Sequence, residues 1–283
     1  MTATPKSLAA DWRRARFALW PAYLVLILVG LAAVWPSLLA THPPDAVDLG
    51  SPVSGPSAEH LFGTDVLGRD TFSRVVYGAR WSVVIGLGAT LGALSAGAVL
   101  GVLVATGPRW LDEILGRVTD ILLAFPGLLL ALLVVAVLGP GTLNATIAIG
   151  CSTAPGFIRL ARGQALAVRE SGYVRSAVVL GRTPARISVS HVLPNALPPL
   201  LVFATVTAGT SIVSGSTLSF LGLGPKVPVP EWGAMLADGR EFADTAWALA
   251  VFPGLAVTAT VVAVNVVGAD LRRRFEGRLL DGS

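Results

Sequence analysis

The chain has 283 residues, 53% of them hydrophobic and only 13% charged, with a mean hydropathy of +0.71. A soluble domain carries about 25% charge, so this composition excludes an ordinary soluble fold and points to a protein that is mostly membrane. The net charge of +4 and pI of about 9.8 follow from where the basic residues sit along the chain and require no nucleic-acid partner.

Charges are bunched, and residues 17–40, 81–107, 121–158, 196–225 and 245–269 contain none. A bilayer core takes about 20 apolar residues per helix. The stretch 121–158 is long enough for two spans, broken at Gly139-Pro140-Gly141. The expected fold class is therefore all-α: a polytopic membrane protein with six transmembrane helices, at about 18–40, 81–106, 117–138, 142–161, 196–221 and 246–269. A cleaved signal is the alternative for the first, with Lys6, Arg13, Arg14 and Arg16 as its basic start. Its apolar run, however, exceeds the roughly 7–15 residues of a signal core.

With the N-terminus inside, sixteen of the 21 Lys and Arg fall on the inner side, the positive-inside pattern. Residues 1–17 are then a cytoplasmic N-terminal segment, 18–271 the six-helix domain and 272–283 a cytoplasmic tail. Residues 41–80 and 222–245 are outer loops, and the loop 163–195 is cytoplasmic.

In the first outer loop, His42-Pro43-Pro44 and 51–57 read as irregular, and the stretch holding Arg74, Tyr77 and Arg80 as a short surface helix. The second span carries Gly88/Gly92 and Gly97/Gly101 at i,i+4, a small-residue face suited to close helix approach in lipid. Asp120, near the inner end of the third span, is placed to pair with Arg117 at i,i+3. The single cysteine, Cys151, permits no internal disulfide. In the fifth span Thr207, Thr210, Ser211 and Ser214 belong to a dense run of hydroxyls, three of them on one face at i, i+4 and i+7. Such hydroxyls either line a wet path or bond backbone and neighbouring helices. Asn265 is the polar side chain at depth in the sixth span. Trp232 and Trp247 suit the aromatic belt of a membrane interface.

Several chemistries are missing. There is no GxxxxGK[ST] loop, since neither Lys6 nor Lys226 follows a glycine, so the chain has no phosphate cradle of its own. His42, His60 and His191 have no ligand spacing, and no metal site is expected. Mid-span Asp, Glu or His, the usual mark of proton coupling, is absent too. The chain is therefore expected not to be an enzyme, and its energy must come from a partner.

The polar inner loop 163–195 is the informative segment. Two helices, 163–180 and 184–192, are predicted around a turn at Gly181, a residue free to take positive φ, with Pro184 in the first turn of the second. The loop offers an apolar ridge on the water side. Docking into a groove on a soluble subunit is one reading; lying on lipid headgroups is the other.

The residues of this loop resemble the signature loop of permeases in binding-protein-dependent, ATP-driven importers. The likeness is strongest to the oligopeptide/dipeptide/nickel branch. It rests on Tyr173-Val174, Ser176-Ala177, Leu180-Gly181, Ile187, His191 and Leu193-Pro194-Asn195. Gly63-Thr64-Asp65, Leu67-Gly68-Arg69-Asp70, Gly78-Ala79-Arg80, Leu218-Ser219-Phe220-Leu221-Gly222, Trp232-Gly233 and Phe252-Pro253-Gly254 extend it over most of the chain. Departures are Ala154, where the family often has Trp, Ser176 in place of Ala, and a tail at 270–278 in which Arg replaces acids.

The resemblance implies a type I importer permease in the inner membrane of a prokaryote, with a short first outer loop. Its partners would be a second, different permease forming a heterodimer, two ATP-binding subunits that carry ATP and Mg, and an extracytoplasmic solute-binding protein. It assigns ATPase coupling to Glu170, Tyr173, Val174, Ser176, Ala177, Leu180, Gly181, Ile187, His191, Leu193, Pro194 and Asn195. Candidate contacts with the binding protein are Asp65, Arg69, Asp70, Glu231 and Trp232, and candidate path residues are those of the fifth span with Asn265. Peptide is the expected cargo, with nickel, a metal chelate or haem as alternatives. A stand-alone channel, a secondary carrier or a membrane scaffold are the readings from other classes.

Overall fold

The computed structural model describes the backbone of residues 5–226 and 228–280 and the side chains of residues 19–226 and 228–273. The basic cluster at 6–16 and the Arg-rich tail beyond 273 lie outside the described side chains. Among the described residues there are ten α-helices and one isolated extended pair, Thr64 with Asp70. In chain order they are α1 (Pro5–Val34), α2 (Thr71–Thr106), α3 (Arg109–Ala124), α4 (Gly127–Leu138), α5 (Thr142–Arg169), α6 (Gly172–Val179), α7 (Pro184–Ile187), α8 (Leu193–Phe220), α9 (Trp232–Gly239) and α10 (Ala248–Leu280).

Among the described residues, three helices are long and apolar enough to cross a membrane: Thr71–Thr106, Pro184–Phe220 and Ala248–Arg273. The span expected at 117–138 is instead a pair, α3 and α4, bent by 101°. Pro126 explains the bend, because a proline pushes the residue before it out of the helical region, and Phe125 sits at φ −84°, ψ 140°. With 12 residues, α4 is about 18 Å long at ~1.5 Å per residue, short of a hydrocarbon core of about 30 Å. The first span also ends early. Pro36 opens a 3-10 turn at Pro36–Leu38, so α1 stops at Val34 rather than continuing to residue 40.

No separate surface helix forms around Arg74. Nothing in 71–106 breaks the ladder, and α2 runs unbroken for 36 residues. Its start is fixed by Asp70, whose Oδ2 accepts from the amide of Ser73 at 2.8 Å, the bond expected of a residue that caps a helix N-terminus.

The chain forms two compact units, residues 1–83 with 219–283, and residues 84–218. In the first, Ala32, Val76, Ala79 and Trp232 form the buried core, with Ala256 and Val257 of α10 against it. Phe62 of the outer segment stacks on Phe252 with centroids 3.7 Å apart. In the second unit, α2 packs on α5 and α8 around Ala93, Ala98, Phe157, Ala161 and Leu200. A Cβ on Gly97 would overlap Phe157, and one on Gly101 would overlap Ala161. That pair is therefore the close approach its i,i+4 spacing suggested. Gly92, by contrast, has open space around it.

Candidate coupling loop and outer-segment network

The inner loop differs from two simple helices around a turn. α5 continues through the charged stretch to Arg169, and a short break at Glu170–Ser171 leads into α6. Gly181 then takes φ +72°, the left-handed turn expected of it, and nothing lies within 4 Å of where its Cβ would be. Pro184 opens α7, a π turn follows at Ser188–Val192, and α8 continues from it. Pro194 has no amide to give the ladder and crowds the carbonyl four residues back. A widened turn next to it relieves both. Asn195 Nδ2 donates to the His191 carbonyl at 2.6 Å. The second loop helix is thus not separate: it is the start of the long helix Pro184–Phe220.

Which residues face outward is set by the helical period. Val174 and Ala177 at i,i+3 point inward, 3% and 4% exposed, onto Val102, Ala105, Ala165, Ile187 and Val192. Glu170, Tyr173, Ser176, Val178, Val179, Leu180, Pro194 and Asn195 are exposed. The expectation that Val174 and Ala177 meet a partner is therefore corrected: they and Ile187 anchor the loop to its own unit. The outward ridge is Tyr173 with Val178, Val179 and Leu180, the last two 86% and 78% exposed, joined by Val189. Phasing 172–180 as a helix would have separated the two faces. Tyr173 stacks on His191 with centroids 6.2 Å apart, and the half-buried His191 has no partner for Nδ1. Leu193 is half-buried beneath the turn.

Two ion pairs tie α3 to α5. Arg162 meets both oxygens of Asp112 at 2.5 and 2.9 Å, and Arg159 meets Asp120 at 2.5 Å. Asp120 thus pairs with a residue 39 positions away rather than with Arg117. A cavity of about 60 Å³ lies beside these pairs, lined by Leu115, Thr119, Asp120, Ile158, Arg159 and Arg162 among others.

The hydroxyls of α8 divide by face. Thr207 and Ser211 are buried, and Ser211 Oγ is hydrogen-bonded to Thr90 Oγ1 at 3.2 Å. Thr210 is exposed and Ser214 half-buried. Asn265 lies on the exposed side of α10.

The outer-segment residues hold one another. Asp65 Oδ2 receives Arg69 Nε at 2.7 Å and Arg74 Nε at 3.5 Å, and Arg74 Nη1 donates to the Pro44 carbonyl at 3.1 Å. Glu231, fully buried, accepts from Ser82 Oγ at 2.7 Å and caps α9 by accepting the amide of Ala234 at 3.0 Å. Trp232 Nε1 donates to the Val75 carbonyl at 2.8 Å. Arg69, Asp70, Glu231 and Trp232 are each 5% exposed or less. They hold the segment together rather than present a surface, which corrects their assignment as contacts for a binding protein.

Burial works against ionisation of Asp70, but hydrogen bonds from Ser73 and His60 and the charge of His42 outweigh it and hold its pKa below the usual value. Asp238 keeps an exposed surface, yet partial desolvation prevails over the attraction of Arg74 and Arg69, with Asp65 and Glu241 adding repulsion, and the pKa is raised. A cavity of about 20 Å³ is lined by Asp65, Thr71, Arg74, Met235, Asp238 and Leu249 among others, room for about one water. Thr71 Oγ1, buried there, has no protein partner.

Residues 97–281, which include the whole inner loop, match the family described as binding-protein-dependent transport system inner membrane component. The dipeptide transport system permease protein DppC of Alkalihalophilus pseudofirmus is 42% identical over 249 residues, covering 88% of this chain and 82% of the relative. The probable D,D-dipeptide transport system permease protein DdpC of Escherichia coli is 41% identical over 249 residues, with 88% and 84% covered. The glutathione transport system permease protein GsiD of Pectobacterium atrosepticum is 37% identical over 281 residues, with 97% and 93% covered. Among solved structures, a chain of the inward-facing MetNI methionine ABC transporter aligns with a TM-score of 0.56 and 18% identity. It covers 71% of this chain and 95% of its own length, a likeness of fold.

Proposed function

The chain belongs to the family of binding-protein-dependent transport system inner membrane components, and on that premise we propose that it is one of two different permease subunits of an ATP-driven peptide importer. Peptide cargo is supported by relatives named for dipeptides and for glutathione. Length and composition give three crossings, or four with the bent pair α3–α4; six requires α5 and the shorter apolar stretch Leu19–Val34 of α1 to cross as well. Both termini and the α5–α8 loop are then cytoplasmic, where the basic residues concentrate.

One observation carries the coupling role. The ridge of Tyr173, Val178, Val179 and Leu180 is exposed at the tip of the loop, while Val174, Ala177 and Ile187 fix the loop's base to α2 and α5. An apolar ridge on a rigid base is what a soluble motor subunit can grip by the helix-in-groove mode. α7 continues through the π turn into α8, so a pull on the ridge is transmitted to a long apolar helix. Closure of two ATP-binding subunits, which carry ATP and Mg, would rock the helices between inward- and outward-facing states. A solute-binding protein would deliver cargo to the outer side. The path face of α8 is assigned to Thr210 and Ser214, the less buried members of the hydroxyl run.

The test is Val179→Asp/Leu180→Asp in the whole complex. ATPase subunits should dissociate on purification and uptake should cease, with the permease still inserted in the membrane. Full recovery of the complex with normal uptake would refute the assignment.

A further inference from the structure

His42, His60 and Asp70 are scattered over 29 positions of the sequence, yet the fold of the first unit collects them. Their donor atoms all lie within 4.8 Å of one another. His60 Nδ1 is 2.9 Å from Asp70 Oδ1, and His42 Nδ1 is 3.8 Å from Asp70 Oδ2. The two imidazole rings lie with centroids 5.0 Å apart and planes tilted by 40°. From the sequence, three histidines without ligand spacing give no metal site. The structure brings two of them to one carboxylate.

Each member is held in place by other bonds. Asp70 sits at the start of α2, its Oδ2 fixed by the Ser73 amide at 2.8 Å and its backbone paired with Thr64. The backbone amide of His42 donates to Ser73 Oγ at 2.9 Å. The His60 amide donates to Ser57 Oγ at 3.0 Å, and its carbonyl accepts from Ser57 and Gly63. Such outer bonds are what orient metal ligands and keep a site formed without its ion. The nearby guanidinium groups of Arg69 and Arg74 are directed at Asp65, so the side chains beside the buried Asp70 carboxylate, 1% exposed, are the two imidazoles and Thr41, whose Oγ1 lies 3.4 Å from Asp70 Oδ2 and 3.0 Å from His42 Nδ1.

Two imidazole nitrogens and one carboxylate oxygen suit a borderline divalent ion of the zinc, nickel or cobalt type. Mg²⁺ and Ca²⁺ prefer all-oxygen shells. Around a four-coordinate ion with bonds of about 2.0–2.2 Å, neighbouring donors sit about 3.3 Å apart. The separations of 2.9 Å from His60 Nδ1 to Asp70 Oδ1 and 3.8 Å from His42 Nδ1 to Asp70 Oδ2 bracket that value, and with all three donors within 4.8 Å of one another side-chain rotation of His42 is the adjustment that gathers them round one ion. His42 is 35% exposed and His60 15%, so solvent reaches the cluster and the fourth position stays open to water.

We propose that His42, His60 and Asp70 bind one divalent transition-metal ion, which staples residues 41–60 to the first turn of α2. The inference stands on this unit alone and does not depend on the cargo or the motor.

The full-length permease without a purification tag of histidines, stripped with a chelator and exchanged into metal-free detergent buffer, is titrated with ZnCl₂ and separately with MgCl₂ by calorimetry. One Zn²⁺ should bind per chain, with no comparable heat from Mg²⁺. The unfolding temperature should rise with Zn²⁺. Asp70 also caps α2, so the deciding variants are His42→Ala and His60→Ala, which leave that cap intact. Each should weaken Zn²⁺ binding at least tenfold and abolish the thermal shift. Absence of saturable Zn²⁺ binding to the wild type, or binding that both variants retain in full, overturns the proposal.

Discussion

Ser82 donates to the fully buried carboxylate of Glu231 at 2.7 Å, across 149 positions of sequence. The same Ser82 oxygen also accepts the Trp232 amide at 3.2 Å. One hydroxyl on α2 therefore fixes the start of α9 within the same unit. Removing it leaves a buried carboxylate short of a partner, which costs about 1–3 kcal/mol. Ser82→Ala is expected to lower the unfolding temperature of the purified protein without affecting Zn²⁺ binding at His42 and His60. An unchanged unfolding temperature would mean that the bond contributes nothing.

Gly181 is expected to be replaceable by Asn but not by Val. Its φ of +72° is the constraint, because space around it is open. Left-handed backbone costs an ordinary residue about 1–2 kcal/mol, while Asn is tolerated there and a β-branched residue is not. Gly181→Asn should retain uptake and ATPase recovery. Gly181→Val should lose both, with membrane insertion normal. Equal behaviour of the two variants would show that left-handed geometry is not what the loop requires.

Gly97 meets a different constraint. A side chain there would run into the backbone of Phe157 and Ile158 on α5, which cannot yield as a flexible side chain can. Overpacking of this kind costs about 1–3 kcal/mol. Gly97→Val should reduce thermal stability, whereas Gly92→Val, with nothing within 4 Å, should not. Measuring both unfolding temperatures separates close packing from a general intolerance of substitution on that face.

Asp238 is expected to give the stability a pH dependence. The residue keeps an exposed surface, but partial desolvation raises its folded pKa above the ordinary 3.8, so the folded state holds the proton more tightly than the unfolded one. The resulting stabilisation is present below pH 3.8 and is lost as pH rises through the folded pKa. Asp238→Asn cannot titrate. Its unfolding temperature should therefore gain on the wild type as pH climbs from acid to neutral. Parallel curves for the two proteins would dismiss this effect.

Local chemistry was legible in the sequence, and distant pairings were not. Gly181 and Pro184 announce a turn and a helix start, and the loop folds accordingly. Gly97/Gly101 announce close packing and deliver it. Pro126 is visible too, but the surrounding apolar run hides its effect, so 117–138 reads as one straight span. Val174 and Ala177 share their apolarity with the outward residues of the loop, and only the helical period, which puts them at i,i+3 on the inner face, separates the two sets. Ser82–Glu231, Asp120–Arg159 and the His42–His60–Asp70 cluster join residues far apart in the chain. No local pattern encodes them, so neither the cluster nor the burial of Glu231 and Trp232 is legible from spacing.

The hydroxyl run of α8 allows a direct contrast between packing and path. Ser211 is fully buried and bonded to Thr90 Oγ1 at 3.2 Å, and the neighbouring Ile212 fills the space over Gly86. A larger apolar group at 211 has nowhere to go. Ser211→Leu should therefore cost about 1–3 kcal/mol and reduce recovery of the assembled complex. Thr210 faces outward, and its hydroxyl donates to the Thr207 carbonyl within the same helix at 2.9 Å. Thr210→Leu should leave unfolding temperature and assembly unchanged. If this side lines the path, a leucine there replaces a wettable, weakly binding surface, which conduction needs, with a dry one. Uptake by the reconstituted complex should then slow while basal ATP hydrolysis persists. Normal uptake in Thr210→Leu would remove the path from this face of α8 and leave its hydroxyls a purely structural part.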